Sequence, residues 1–358
     1  MRFRTRHSRP RAMVLAAAAL SVVLTGCGSG SDSSSGDLEQ SEITVAGAKT
    51  LDKLAYFVAE DQGFFEDEGI TKVDWIDQEA GAAVTSLLVS GEADISSQSV
   101  NVPWQAVSTG NADLKVIASA TNGSDHYLAV QKEWAESHDL TADSTGEEIM
   151  AALDGAKVGS TPAGGSLHQL VTGLFDAYGV TCTIVPADGG AAMLANFEKG
   201  RSDAMVHVAS TATVAGERYG AVMYRVADTF DRLPQLTIAP TQVFLASQQF
   251  LDQDPKLATA FTRALYRGAQ YAVENPDDAR RIATDEFGEL PDLAWSAVYD
   301  GLKANGTRFG EEQFDASLDI VNLGLPAKEQ VDVTFKDVVD DSLYDDVAKE
   351  LGPIEGAS

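Results

Sequence analysis

The residues with the clearest potential for ligand chemistry form a glycine-rich loop, residues 161–166, which follows an apolar stretch and opens a helix. Its consecutive glycines, Gly164 and Gly165, permit close approach of a ligand to the backbone. Free backbone N–H groups and the positive end of a helix dipole at Ser166 suit an anion or a polar ligand edge. The loop is not a nucleotide P-loop, because Gly165 stands where that motif requires lysine. The sequence therefore predicts a cradle for a small ligand.

The elements that must position this loop alternate between strands and helices. An apolar stretch at 43–47 is followed by a helical pattern at 51–62 and a further strand pattern at 73–76. Such alternation predicts an α/β fold with largely parallel sheets. Ligands of open α/β sheets bind beyond the carboxyl ends of the strands, so the segments after each predicted strand are the candidate ligand contacts.

An internal repeat divides the α/β region into two halves. Gly81-Ala-Ala, with Gly91 and Asp94 downstream, is matched at identical spacing by Gly190-Ala-Ala, with Gly200 and Asp203 downstream. Two extended apolar stretches between the halves, 126–130 and 241–246, are predicted to cross between two lobes, and helices after Pro255 to pack on the first. The predicted boundaries are residues 43–125 plus 245–352 for lobe 1 and residues 126–244 for lobe 2.

The N-terminal region has the features of a targeting segment, residues 1–26, followed by a tether, residues 27–42. Five arginines precede a short apolar run, and Leu24-Thr25-Gly26-Cys27 resembles a bacterial lipobox, in which cleavage exposes the cysteine for lipid attachment. An ordinary secretory peptide is the alternative. Glycines and serines dominate residues 28–36, as in flexible linkers. We expect the protein to be lipid-anchored through Cys27 at the outer face of the cytoplasmic membrane.

Charge and composition exclude several classes of function. Removal of five arginines with the signal peptide takes the formal net charge from −28 to −33, which argues against a nucleic-acid partner. Of two cysteines only Cys182 would remain free, so no disulfide framework or thiolate metal site is expected. The five histidines show no metal-ligand spacing and no nucleophile elbow is present, so we expect neither a metal, a cofactor nor an enzyme.

Residues 53–70, KLAYFVAEDQGFFEDEGI, resemble a signature of ABC-transporter solute-binding proteins. The similarity is to the group of nitrate-, taurine-, alkanesulfonate- and thiamine-pyrimidine-binding proteins. Matching stretches at 87–94, 156–160, 164–166 and 275–279 extend the resemblance. It implies a periplasmic-binding-protein type II fold, with two α/β lobes joined by two crossing strands and the ligand in the cleft between them.

The same resemblance implies a function without bond cleavage. The protein would be a monomeric receptor that captures a small organic anion, such as a sulfonate, carboxylate or nitrate, by lobe closure and delivers it to an ABC permease. A neutral heteroaromatic ligand such as a thiamine-precursor pyrimidine is the alternative. An enzyme or a permease-independent sensor on the same fold is the alternative from another class. The predicted ligand contacts are Lys49, Thr50, Gly81, Gln98, Ser99, Asn122, His126, Gly164, Gly165, Ser166, Asp188 and Ser210.

Overall fold

The computed structural model describes residues 41–121 and 123–354. Strands and helices alternate as far as residue 247, after which the described chain is mainly helical. The strands are β1 (Ser41–Gly47), β2 (Ile70–Asp77), β3 (Ile95–Gln98), β4 (Leu114–Ser119), β5 (His126–Val130), β6 (Ala156–Ser160), β7 (Cys182–Pro186), β8 (Ala204–Val208), β9 (Val222–Arg225) and β10 (Val243–Ser247).

The helices connect these strands and build the C-terminal region. Short 3₁₀ turns lie at Leu51–Lys53, Pro234–Thr237 and Ala327–Glu329. The α-helices are α1 (Leu54–Asp61), α2 (Phe64–Asp67), α3 (Gly81–Ser90), α4 (Asn101–Ser108), α5 (Lys132–Ser137), α6 (Gly146–Ala152), α7 (Ser166–Tyr178), α8 (Gly190–Glu198), α9 (Ala209–Tyr219), α10 (Val226–Thr229), α11 (Gln248–Gln253), α12 (Pro255–Glu274), α13 (Pro276–Phe287), α14 (Asp292–Asn305), α15 (Glu311–Val321), α16 (Phe335–Val338) and α17 (Ser342–Leu351).

Two five-stranded sheets have the same topology. The sheet of lobe 1 has the order β2-β1-β3-β10-β4, and that of lobe 2 has the order β7-β6-β8-β5-β9. In each sheet the first three strands are parallel, and the fourth runs antiparallel to both of its neighbours. Four of the five strands in each sheet therefore run in the same direction, which confirms the largely parallel sheets expected from the sequence. The antiparallel strands are the two apolar stretches that were expected to cross between the lobes.

The internal repeat corresponds to repeated structure. The Asp94 carboxylate accepts a hydrogen bond from the backbone N–H of Thr44 at 2.8 Å, next to β3. The Asp203 carboxylate accepts one from the backbone N–H of Lys157 at 2.8 Å, next to β8. The repeated spacing therefore places an aspartate at the same position in both lobes. Its hydrogen bond joins β3 to β1 in lobe 1 and β8 to β6 in lobe 2.

The connections between the lobes are shorter than the predicted crossing strands. β5 lies wholly in the sheet of lobe 2, and β10, which begins at Val243, lies wholly in that of lobe 1. The chain crosses in the segments just before each strand. Backbone hydrogen bonds join these segments, from Ser124 N to Leu236 O at 2.7 Å and from Ala120 N to Gln242 O at 3.0 Å. The hinge is thus a pair of mutually bonded segments.

The C-terminal helices cover lobe 1 and also reach lobe 2. α12 packs closely on α1, because Gly268 lacks a side chain: a Cβ there would lie 2.1 Å from the carbonyl oxygen of Ala55. In addition, α14 contacts α9 and α15 contacts α7 of lobe 2. Leu323, just after α15, lies directly over Gly173 of α7. The C-terminal region therefore forms one wall of the cleft.

The proposed signal peptide, Cys27 and the tether lie outside the described residues. Within the described ranges, none of the helices combines the length and the apolar composition that crossing a bilayer requires.

Candidate functional site

A cavity of about 380 Å³ lies in the cleft between the lobes, bounded on one side by the hinge. This volume is in the range of small-molecule sites. Both lobes and the hinge contribute polar groups to it. The polar side chains that line it are Thr50, Asp52, Glu79, Ser99, Asn101, Ser124, His126, Thr161, Ser166, His207, Thr211, Thr241, Gln242 and Ser317.

One wall of the cavity is aliphatic. Leu167 and Leu170 of α7 face it from lobe 2, and Ile320 and Val321 of α15 face it from lobe 1. Leu236 from the 3₁₀ turn completes this apolar surface. The cavity therefore combines polar groups with an aliphatic surface.

Four helices begin at the cavity. The first residues of α4 and α7, Asn101 and Ser166, line it, as do Gly190 at the start of α8 and Thr211 in the first turn of α9. The unpaired N–H groups and dipoles of these turns produce positive potential. At α7 one N–H is already used, because Thr161 Oγ1 accepts a hydrogen bond from His168 N at 3.1 Å. At α9 the first N–H is also used, because Ala209 N donates to the carbonyl oxygen of Asp125 at 2.9 Å. The dipoles of all four helices still favour an anionic ligand.

A buried lysine lies beneath the hinge side of the cavity. Lys53 is fully buried, and its Nζ lies 3.0 Å from Asp52 Oδ2. The same ammonium donates to Thr50 Oγ1 at 2.8 Å and to Gln242 Oε1 at 3.4 Å. All three partners line the cavity, so Lys53 both balances the charge of Asp52 and fixes the orientation of the lining groups.

A second carboxyl group, Asp125, is buried at the hinge. Its Oδ1 accepts a hydrogen bond from Thr241 Oγ1 at 2.6 Å. Burial, together with the nearby Asp52, raises the pKa of Asp125 to about 6. The hinge therefore contains two carboxyl groups and a single buried ammonium, that of Lys53.

Two histidines face the cavity from neighbouring strands. His126 begins β5, and His207 lies one residue before the end of β8. Burial and the neighbouring His207 lower the pKa of His126 to about 3, and burial lowers the pKa of His207 to about 4. Both imidazoles are therefore neutral at physiological pH, so each can donate one hydrogen bond and accept another.

The family model described as NMT1/THI5 like matches residues 51–279. The chain belongs to the NMT1/THI5-like family. Its matched region contains both sheets apart from the first strand, together with the hinge. None of the curated proteins matches the chain by sequence.

Solved structures establish the fold of this NMT1/THI5-like protein. The periplasmic nitrate-binding protein NrtA from Synechocystis PCC 6803 aligns with a TM-score of 0.66 and 16% identity, covering 89% of this chain and 91% of its own. The periplasmic aliphatic sulphonate-binding protein SsuA from Escherichia coli aligns with a TM-score of 0.62 and 15% identity, covering 84% and 92%. A Candida albicans protein with the generic periplasmic-binding-protein fold gives 0.59 and 13%, covering 86% and 95%. The expected periplasmic-binding-protein fold is confirmed.

Four of the predicted contacts in this NMT1/THI5-like chain line the cavity. Thr50 and Ser99 do so from lobe 1, Ser166 from lobe 2 and His126 from the end of the hinge. Thr50, Ser99 and Ser166 come after the carboxyl ends of strands, as the rule of carboxyl strand ends predicts, whereas His126 is the first residue of β5. Their contact with a ligand stays a prediction.

The other predicted contacts among the described residues do not line this cavity. Gln98 is buried in lobe 1, where it is hydrogen-bonded to Thr85 and Ser96, and Gly81 lies beside it. Gly165 supports the loop instead of facing the cavity, since a Cβ there would lie 2.3 Å from Thr161 Oγ1. Asn122 lies outside the described residues. Lys49 and Ser210 line a second cavity, Asp188 lines a shallow surface depression, and Gly164 is exposed at the tip of its loop.

Several lining residues of this NMT1/THI5-like site had no signal in the sequence. Asp52 and Gln242 line the cavity while both are hydrogen-bonded to the buried Lys53. Ser317 lies on the C-terminal helix α15. His207 could have been found, because it lies one residue before the carboxyl end of a strand. The aromatic residues Trp104 and Phe230 are fully buried in the cores and do not line the cavity. The described residues contain no cluster of His, Cys, Asp or Glu able to hold a metal ion.

Proposed function

We propose that this protein is an extracytoplasmic receptor of an ABC importer, which captures a small organic anion by lobe closure and delivers it to the permease. The observation that carries this proposal is the interlobe cavity onto which four helix N-termini open in an NMT1/THI5-like chain. Ligand binding would shift the open–closed equilibrium toward the closed form, which the permease recognises. The nitrate- and sulphonate-binding neighbours support the anionic class.

The shape of the cavity favours an anion with a short aliphatic part. Its lining combines helix N-termini and hydroxyl groups with the aliphatic side chains of Leu170, Leu236 and Ile320. A neutral heteroaromatic ligand has weaker support, because no Phe, Tyr or Trp among the described residues lines this cavity to stack on a ring. We also propose that the chain is divided into two lobes as predicted from the sequence, except that lobe 1 resumes at Val243, where β10 begins, and that the receptor acts as a monomer.

Thermal-shift screening tests the receptor function directly. Short-chain alkanesulfonates, the matching carboxylates, nitrate, and neutral amino-pyrimidines are added to the purified protein in excess. A ligand that binds only the folded state at about 100 times its dissociation constant should stabilise the protein by about 2.7 kcal/mol and raise its melting temperature. We expect shifts with alkanesulfonates or carboxylates and none with the pyrimidines.

Different outcomes of the screen separate the candidate functions. A shift with pyrimidines alone would replace the anion by the heteroaromatic class. Consumption of any candidate during incubation, followed by chromatography, would indicate an enzyme and contradict the receptor function.

We propose that Cys27 carries the lipid that holds the receptor at the membrane. Cys27→Ala removes the acceptor thiol of the lipobox-like segment, so the protein is expected to move from the membrane fraction to the soluble extracytoplasmic fraction. Fractionation followed by immunoblotting measures this change, with Cys182→Ala as the matched control that should stay with the membrane. Equal membrane retention of both variants would contradict lipid attachment at Cys27.

A further inference from the structure

We propose that His126 and His207 bind the anionic group of the ligand together and take up one proton when it enters the cavity, an inference that rests on the proposed anion receptor. The two side chains lie where β5 begins and β8 ends, and both line the cavity. Each therefore meets the ligand from the hinge side of lobe 2.

The surroundings of His207 leave its ring ready for a ligand. Among the described residues, its buried Nδ1 has no hydrogen-bond partner. Its Cε1 edge lies beside the start of α8, because a Cβ built on Gly190 would be 3.3 Å from that atom. An anion held by the N–H groups at the start of α8 would therefore lie next to the imidazole.

The contacts of His126 fix which of its nitrogens faces the ligand. Ser124 Oγ accepts a hydrogen bond from His126 N at 3.3 Å and lies 2.8 Å from His126 Nδ1. In the tautomer that the proposal requires, the Ser124 hydroxyl donates its proton to Nδ1 and the proton of the neutral ring lies on Nε2. His126 therefore presents an N–H donor, the group that an anionic oxygen requires.

Charge balance gives the reason for proton uptake. No arginine or lysine side chain in the described ranges lines the cavity, and the ammonium of Lys53 is already paired with Asp52. An anion enclosed there without a positive partner would be costly, because an unpaired charge in a protein interior is poorly solvated. An anion beside an imidazole favours its protonated form and raises its pKa. The repulsion between His126 and His207 limits the uptake to one proton.

The other titratable groups around the histidines are carboxyl groups. Asp52 lines the cavity from the 3₁₀ turn before α1, and Glu79 lines it from the loop before α3. Asp125 immediately precedes His126 in the chain and is hydrogen-bonded to Thr241, which lines the cavity. Protonation of any of these carboxyl groups would also favour an anion, so an experiment must distinguish the histidines from them.

Isothermal titration calorimetry with butane-1-sulfonate and with nitrate provides this test, because neither probe changes its charge between about pH 5 and pH 9. Titrations at one pH in phosphate and in Tris give the number of protons taken up, since the two buffers differ in ionisation enthalpy. We expect the wild-type protein to take up close to one proton near neutral pH. Its affinity should rise as the pH falls, by up to about tenfold per pH unit between the pKa values of the free and the bound protein.

His207→Gln and His126→Gln keep a hydrogen-bonding side chain but cannot gain charge. Each is expected to weaken binding at least tenfold at pH 6 and to reduce proton uptake. His138→Gln is the matched control, because His138 is exposed and stacked on Trp134 outside the cavity. His207→Asn repeats the test if the glutamine variant melts at a lower temperature.

The outcomes are distinct. Binding without proton uptake by the wild-type protein would overturn the proposal. Uptake that is unchanged in both histidine variants would also overturn it, and would assign the proton to the carboxyl groups. The absence of binding by either probe would contradict the anion receptor, and the histidine proposal with it.

Discussion

Lys53→Met is expected to lower the free energy of unfolding by roughly 3–5 kcal/mol, the usual cost of removing one partner from a buried ion pair. The ammonium is fully buried and contacts Asp52, Thr50 and Gln242. Without it, the carboxyl groups of Asp52 and Asp125 remain buried with no cation to balance them. Denaturant unfolding followed by circular dichroism measures the change, and binding should be lost as well, because all three partners line the cavity.

The pH dependence of the lost stability tests whether its origin is electrostatic. Because the pKa of Asp125 is already raised to about 6 in the intact protein, this group is protonated near pH 5 and ionised near pH 8. The destabilisation of Lys53→Met should therefore be larger at pH 8 than at pH 5. Lys72→Met is the matched control: Lys72 forms an exposed ion pair with Asp74, and its removal should barely change the unfolding midpoint. Equal stability of both variants would refute the role assigned to Lys53.

The sequence specified much of the architecture, because the relevant signals are local and repeated. Alternating apolar patterns located β1 and β2, and the matched spacing around Asp94 and Asp203 revealed two lobes of one design. Strand ends then indicated which loops reach the cleft. That reasoning places Thr50 and Ser166 correctly at the cavity from opposite lobes.

The remaining features depend on contacts between distant parts of the chain. Ser317 and Ile320 reach the cavity only because α15 folds back over α7, and no local pattern reports that path. Gln98 lies at the carboxyl end of β3, where a ligand contact is expected. Its side-chain amide is instead hydrogen-bonded to Thr85 and Ser96. Gly165 looked like a ligand contact but leaves space for Thr161, which is the residue that faces the cavity. A polar residue at a strand end is therefore a candidate ligand contact, and the packing around it determines whether it faces the cavity.

A hydrogen-bonded bridge across the cleft links ligand binding to lobe closure. Gln169 of α7 accepts a hydrogen bond from Asn101 Nδ2 at 2.6 Å and donates one to the carbonyl oxygen of Val321. The first partner begins α4 and the second ends α15, and both belong to lobe 1. These bonds exist only while the lobes are together. They therefore stabilise the closed form relative to the open form, while Gln169 itself is not among the lining residues of the cavity.

Gln169→Leu is expected to weaken ligand binding by about 5- to 150-fold, mainly through faster dissociation. Each hydrogen bond contributes roughly 0.5–1.5 kcal/mol, so the loss of two disfavours closure by roughly 1–3 kcal/mol. Stopped-flow tryptophan fluorescence with an alkanesulfonate identified by the screen measures the dissociation rate. Gln105→Leu makes the same chemical change at an exposed position of α4 and should leave that rate unchanged. If Gln169→Leu released the ligand no faster than this control, closure would have to be stabilised by the packing of Leu323 on Gly173 and by the ligand itself.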